Sequence, residues 1–214
     1  MSGMINILYI HGMGGGGDSR IPAILRDALS GKGVNVVVRT YDFDPDTAHR
    51  QICSWVEELS PSLVIGESLG AVHTLRIKGY PHLLISPSLN APLFLGYLSW
   101  LALVPGVTRF LDRIYRPKEG DRQKLHFTFS TLRKYIRHRR EALANSTLSG
   151  SSDYYFAFFG TDDHYRKSGI VSVGTWRKYF GNTLMMYEGT HFTEEEHIYA
   201  KILPLICKLL DINK

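Results

Sequence analysis

Leu63-Val64-Ile65 runs straight into Gly66-Glu67-Ser68-Leu69-Gly70, and that into Ala71-Val72-His73-Thr74-Leu75. An apolar strand, a G-x-S-x-G turn and the opening of a helix follow one another with no intervening loop. Such a turn is strained, and it lifts the serine side chain out of the sheet edge into a cleft. The flanking glycines have a steric role, because neighbouring backbone passes too close for a Cβ. A chain with this junction is constrained to a sheet in which one strand feeds directly into a covering helix. A serine hydroxyl is a weak nucleophile alone, so the turn becomes a chemical site only where a base and an orienting acid join it.

The rest of the chain fits that constraint. Near-continuous apolar runs predict about six strands, at residues 5–10, 34–40, 63–65, 83–86, 154–159 and 183–187. Helical patterns fall between them, near 21–31, 45–59, 69–78 and 168–180, with a last one from about 194 to 210. Thr193 followed three residues later by Glu196 reads as a capping box opening that last helix. Strand–helix alternation with apolar strands predicts a mainly parallel sheet covered on both faces, in three layers. At 214 residues, 44% hydrophobic and 21% charged, the chain is expected to form one domain over residues 1–214.

Residues 90–152 break the alternation. Roughly 60 residues between two strands is far more than the ~10–12 a crossover needs, and they read as helices inserted as a cap over the active-site end of the sheet. The first is apolar (Leu93, Phe94, Leu95, Tyr97, Leu98, Trp100, Leu101) and the last is basic (Arg133, Lys134, Arg137, Arg139, Arg140). Residues 145–152, rich in Ser, Asn and Gly, read as the loop returning to the sheet. The insertion holds 11 Lys or Arg against 4 Asp or Glu, in a chain of net charge +5. A basic segment of this kind is expected to be a solvated helical face or to favour acidic or membrane-proximal substrates. No nucleic-acid-binding motif is present, so no nucleic-acid partner is expected.

The apolar stretch from Ala91 to Val107 is interrupted by Ser99, Pro105 and two glycines, and falls short of the ~20 residues of a membrane span. Met1-Ser2-Gly3-Met4 meets the first strand without a basic leader, and Cys53 and Cys207 make no disulfide framework. A cytoplasmic protein with free thiols is expected.

In open parallel sheets, ligands bind at the carboxyl ends of the strands. His11 and Gly12 follow the first predicted strand, Ser68 the third, Asp162 and Asp163 the fifth, and His191 the sixth. The order Ser, Asp, His, with His11-Gly12-Met13-Gly14-Gly15, Gly160-Thr161-Asp162 and Gly189-Thr190-His191 after strands, resembles the α/β-hydrolase superfamily. The resemblance covers nearly the whole chain outside the insertion, and is nearest to short bacterial serine esterases that begin at the strand carrying the His-Gly loop. It implies an α/β-hydrolase fold and a serine hydrolase of carboxylic esters or thioesters working through an acyl-enzyme. Ser68 would be the nucleophile, His191 the general base, and Asp162 the orienting acid in preference to its neighbour Asp163. The backbone N–H groups of Met13 and Leu69 would form the oxyanion hole. His11 is read as holding its loop and Glu67 as a variable turn residue. His164 is the competing histidine, while Met13, Phe94, Tyr97 and Trp100 are candidate acyl-pocket residues. No cofactor and no metal are expected.

Two other readings stand beside this one. Residues 12–17 also match G-x-G-x-x-G after a strand, the dinucleotide fingerprint, with Asp42 near the ribose-binding position. A hydrolase fold serving as a binding protein without activity is the third.

Overall fold

The computed structural model describes residues 4–117, 119–147, 150–151 and 153–212. Six strands, β1 (Ile5–Ile10), β2 (Val34–Val38), β3 (Leu63–Glu67), β4 (His82–Ile85), β5 (Tyr155–Gly160) and β6 (Leu184–Tyr187), form one sheet in the order β2-β1-β3-β4-β5-β6. Every neighbouring pair is parallel. The helices are α1 (Arg20–Ala28), α2 (Pro45–Leu59), α3 (Gly70–Thr74), α4 (Ala91–Leu101), α5 (Val107–Ile114), α6 (Phe129–Ala144), α7 (Val173–Phe180), α8 (Glu195–His197) and α9 (Leu203–Leu209). A π-helical turn, Ile198–Ile202, joins the last two.

Period-two alternation sorts the strand residues between two helical layers. Ile7 and Tyr9 of β1, Ile65 of β3 and Phe158 of β5 pack with α1 residues Ile21 and Leu25 and with Ile198, Ile202 and Ile206 near the C-terminus. Leu8, Ile10 and Val64 turn the other way, onto Ala48, Ile52 and Val56 of α2. On that second side Leu84, Ala157 and Phe159 meet Val72, Leu132, Tyr135, Leu143 and Trp176. Each buried Val, Leu, Ile or Phe among them contributes about 1.5–3 kcal/mol.

Residues of α6 are therefore in the core. This corrects the expectation that the basic helix belongs to a cap over the active-site end. Leu132, Tyr135, Ala142 and Leu143 line its buried side, and it is the crossover helix that brings the chain back to β5. Three of its five basic residues are committed to neighbours, Lys134 to Asp44, Arg137 to Asp46 and Glu141, and Arg139 to Leu89 O and Asn90 Oδ1, while Arg133 and Arg140 are exposed. The stretch from α4 to the start of α6 packs onto α6 through Leu95 and Phe127 and is otherwise largely exposed among the described residues. The return loop expected at 145–152 lies partly outside the described residues, as does the Met1-Ser2-Gly3 start.

Helix boundaries follow local chemistry. Asp44 caps α2 by accepting from the N–H groups of Asp46 and Thr47, and Pro45 sits at the first position, where its missing N–H costs nothing. The helix expected from 168 begins only at Val173, because Gly169 takes φ +78° and Ser172 supplies the cap. The capping box at Thr193 does not form. The Thr193 hydroxyl is 2.7 Å from the Tyr187 hydroxyl, and Glu194 holds the N-cap position instead.

Candidate active site

Because β2 lies on one side of β1 and β3 on the other, the chain reverses its direction of winding between β1 and β3. That switch point leaves a crevice at the carboxyl ends of the two strands. Gly66 pairs with Ile10, so the loop after β1 and the turn after β3 emerge side by side. Ser68 sits at φ +49°, a left-handed conformation unusual for a residue with a Cβ. Three features hold it there. Its N–H donates to Ile85 O at 2.9 Å, and its carbonyl accepts from Ser88 N–H at 3.0 Å. Glycine on both sides admits the neighbours: a Cβ on Gly66 would lie 2.3 Å from Thr74 Oγ1, and one on Gly70 2.3 Å from His11 O.

His191 arrives from the loop after β6. Its Nε2 is 3.0 Å from Ser68 Oγ and its Nδ1 is 2.7 Å from Asp163 Oδ2. The sequence preference for Asp162 is corrected here. Asp162 N–H is held by Gly189 O at 2.9 Å, prolonging the pairing of β5 with the chain after β6 and leaving the Asp162 side chain in solvent. The next residue points inward: Asp163 is 2% exposed, and its second oxygen accepts from Tyr165 N–H at 2.9 Å. Asp163 thus caps the short 3-10 turn His164–Arg166 with one oxygen while holding the imidazole with the other. His164 is exposed and has a ring contact with His191, centroids 6.3 Å apart, with no hydrogen bond between them among the described residues. The Tyr165 ring meets the imidazole edge-on at 4.7 Å.

No protein-family model matches the chain, and no curated protein matches it. Solved structures do. Est1E from Butyrivibrio proteoclasticus, in its ferulic-acid-bound form, superposes with a TM-score of 0.67 at 15% identity, over 98% of this chain and 90% of that one. Mouse alpha/beta hydrolase domain-containing protein 10 gives 0.65 at 13% identity, over 96% and 89%. A carboxylesterase of the thaumarchaeon Nitrososphaera gargenis gives 0.58 at 15% identity, over 97% and 92%. The chain has the α/β-hydrolase fold. At such identities likeness speaks for the fold, and the chemistry rests on this chain's own residues.

In this α/β-hydrolase fold the glycine loop after β1 closes the other wall of the crevice. Gly12 lies against the nucleophile turn, where a Cβ would come 3.1 Å from Ser68 Cβ. His11 holds the loop: it is fully buried, 2.7 Å from Gly12 O through Nδ1, and stacked on Tyr41. Burial pushes its pKa down to about 4, so it is neutral and donates that hydrogen bond. Of the loop amides, Gly14 N–H donates to Gln123 Oε1, Gly15 N–H to Gly12 O, Gly16 N–H to Ser19 Oγ and Gly17 N–H to Thr40 Oγ1. Among the described residues, no hydrogen bond engages the N–H of Met13 or Leu69, and both residues line the cavity beside Ser68. The same accounting disfavours a dinucleotide on residues 12–17. The amides of Gly14, Gly15, Gly16 and Gly17 are taken by the protein, and Asp121 backbone sits where a Cβ on Gly16 would fall, at 1.7 Å. Asp42, the would-be ribose ligand, accepts from Asp44 N–H instead.

The cavity holds about 490 Å³, with Met13, Phe94, Leu95, Ile170 and Phe192 supplying apolar wall. Tyr97 and Trp100, the other acyl-pocket candidates, are exposed and do not line it. Glu67 does line it. Burial raises its carboxyl pKa, and Tyr9 OH donates to it at 2.7 Å. Sequence reasoning misses Ser88, whose hydroxyl is 3.1 Å from Ser68 Oγ, and Gln123, which ties the glycine loop to Tyr41 O. Neither belongs to a motif; both come from loops whose approach depends on the tertiary fold. Among the described residues no group of three or more His, Cys, Asp or Glu is arranged to hold a metal ion.

Proposed function

We propose that this protein is a serine hydrolase that cleaves carboxylic esters or thioesters of small molecules through an acyl-enzyme. The observation that carries the reading is the imidazole of His191 in hydrogen-bond reach of both Ser68 Oγ, at 3.0 Å, and Asp163 Oδ2, at 2.7 Å. Nε2 accepts the Ser68 proton as Oγ attacks the acyl carbon, then returns it to the departing alkoxide or thiolate. Nδ1–H donates to Asp163, which fixes the tautomer and stabilises the imidazolium. Water repeats the sequence on the acyl-enzyme and releases the acid. The tetrahedral oxyanion is received by the free N–H groups of Met13 and Leu69, each such donor being worth about 3–4 kcal/mol of barrier. A Ser68 held in a left-handed conformation by its neighbours is strain of the kind that collects at functional sites.

The structural neighbours support ester hydrolysis at the level of the fold. One of them is a carboxylesterase, and another binds ferulic acid. The cavity, with an apolar wall and about 490 Å³ of space, accommodates an acyl group of moderate size. A panel of p-nitrophenyl esters and acyl thioesters of graded chain length tests the reading. Turnover that rises with chain length to an optimum and then falls is expected. Absence of turnover on every ester and thioester, with the protein folded, would reject it.

A further inference from the structure

The segment joining β4 to α6 carries the largest concentration of exposed apolar side chains in the molecule. Tyr97 is 76% exposed, Trp100 58% and Phe110 61%, and Leu101, Leu103, Val104, Ile114 and Tyr115 are exposed between and beyond them. None of the α5 residues is buried, although Phe110 and Ile114 are four apart and share one of its sides. A soluble monomer rarely leaves so many large apolar side chains open along one segment, and such a cluster marks an interaction site.

Charge decides what covers it. Residues 91–117 contain Arg109, Arg113 and Arg116 but a single acid, Asp112. That acid is engaged by His126 Nδ1 and by Phe127 N–H. The three arginines are exposed and make no ion pair with a carboxylate among the described residues, unlike the basic residues Lys134 and Arg137 of α6. Arg133 adds a fourth cation, stacked 5.6 Å over the Trp100 ring. A second copy placed on this face would bring arginine against arginine. Apolar and aromatic side chains ringed by unpaired cations match an interface that is apolar inside and anionic at its rim.

We propose that the α4–α5 segment docks this protein on an anionic lipid bilayer. Phe110, Ile114, Trp100, Leu101 and Leu103 enter the headgroup–acyl boundary, while Arg109, Arg113 and Arg116 meet lipid phosphates. Phe94 of α4 both lines the cavity and is exposed, and exposed Met13 and Phe192 line it too, so docking brings an apolar cavity mouth to the lipid. The docking goes beyond the hydrolase reading and does not depend on it.

The test is co-sedimentation of the full chain with phosphatidylcholine vesicles and with vesicles also containing phosphatidylglycerol, read together with tryptophan emission. Binding to the phosphatidylglycerol vesicles, weakened by salt and accompanied by a blue shift, is expected. Trp100 reports the shift because Trp176 is already buried and Trp55 is half-buried on α2, under Arg39 and away from this segment. Replacing Arg109, Arg113 and Arg116 together by Gln should weaken binding on the order of a hundred-fold, at about 1 kcal/mol per cation. Phe110→Ser with Ile114→Ser should abolish the blue shift. Circular dichroism confirms that both variants fold, as their exposed positions imply. Three results would each overturn the proposal: no binding above the phosphatidylcholine control, binding unchanged in both variants, or a dimer in sedimentation that the same variants break.

Discussion

Asp163 Oδ2 lies 2.7 Å from His191 Nδ1, whereas Asp162, one residue earlier, turns its carboxylate to solvent and keeps only a 3.3 Å contact with the Thr161 hydroxyl. Two adjacent acids therefore have opposite consequences. Asp163→Asn should lower kcat by roughly 10⁴-fold, since an amide favours the wrong imidazole tautomer. Asp162→Asn should leave kcat within about twofold, as an exposed substitution away from the chemistry. Steady-state kinetics on one ester with the two variants compares them directly.

The strain at Ser68 predicts a trade between stability and activity. Ser68→Gly removes the Cβ from a φ of +49°. It should stabilise the fold by about 1 kcal/mol, a rise of about 2–4 °C in Tm for a chain of this size. Turnover should vanish in Ser68→Gly and Ser68→Ala alike. Calorimetry beside an ester assay separates the two effects.

Stability should depend on pH through buried histidines. His11, His73 and His82 are fully buried, and burial holds His11 and His82 down at about 4 and His73 well below its ordinary value. In the unfolded chain they take up protons near pH 6.5, which the folded protein refuses. Stability is therefore unaffected by these groups above about pH 6.5. It falls as the pH drops toward 4, by about 1.4 kcal/mol per pH unit for each histidine. Neither ring nitrogen of His73 has a hydrogen-bond partner among the described residues, so His73→Leu should make the decline shallower. Urea unfolding across that pH range measures the slope.

Gln123 is a positioning residue in this account. It is 1% exposed, accepts from Gly14 N–H and donates to Tyr41 O. Gln123→Ala leaves both groups unpaired and should cost about 1–3 kcal/mol of stability. It should also lower kcat more than it raises KM, because the loop it holds carries the Met13 donor. A KM-dominated effect would place Gln123 in ground-state substrate binding instead.

The sheet is legible in the sequence because its strands are short, mostly apolar runs, and β1, β3, β5 and β6 lead into turns that contain glycine. Ser68 and His191 are legible as residues placed after strands. The choice between Asp162 and Asp163 is not. It depends on the Gly189 carbonyl capturing Asp162 N–H, a contact made across 27 residues of chain. The basic helix misleads for a similar reason: Arg137 and Lys134 look unpaired in sequence, yet Asp44 and Asp46 lie on a distant helix that packs against them. Thr193 looks like a cap until Tyr187, six residues earlier, draws its hydroxyl away.

Mass spectrometry of the protein after a fluorophosphonate probe tests the central claim most directly. A single adduct on the peptide containing Ser68 is expected, absent in Ser68→Ala and strongly slowed in His191→Ala and Asp163→Asn. A folded protein that takes no adduct, or takes it on a different residue, would contradict the account.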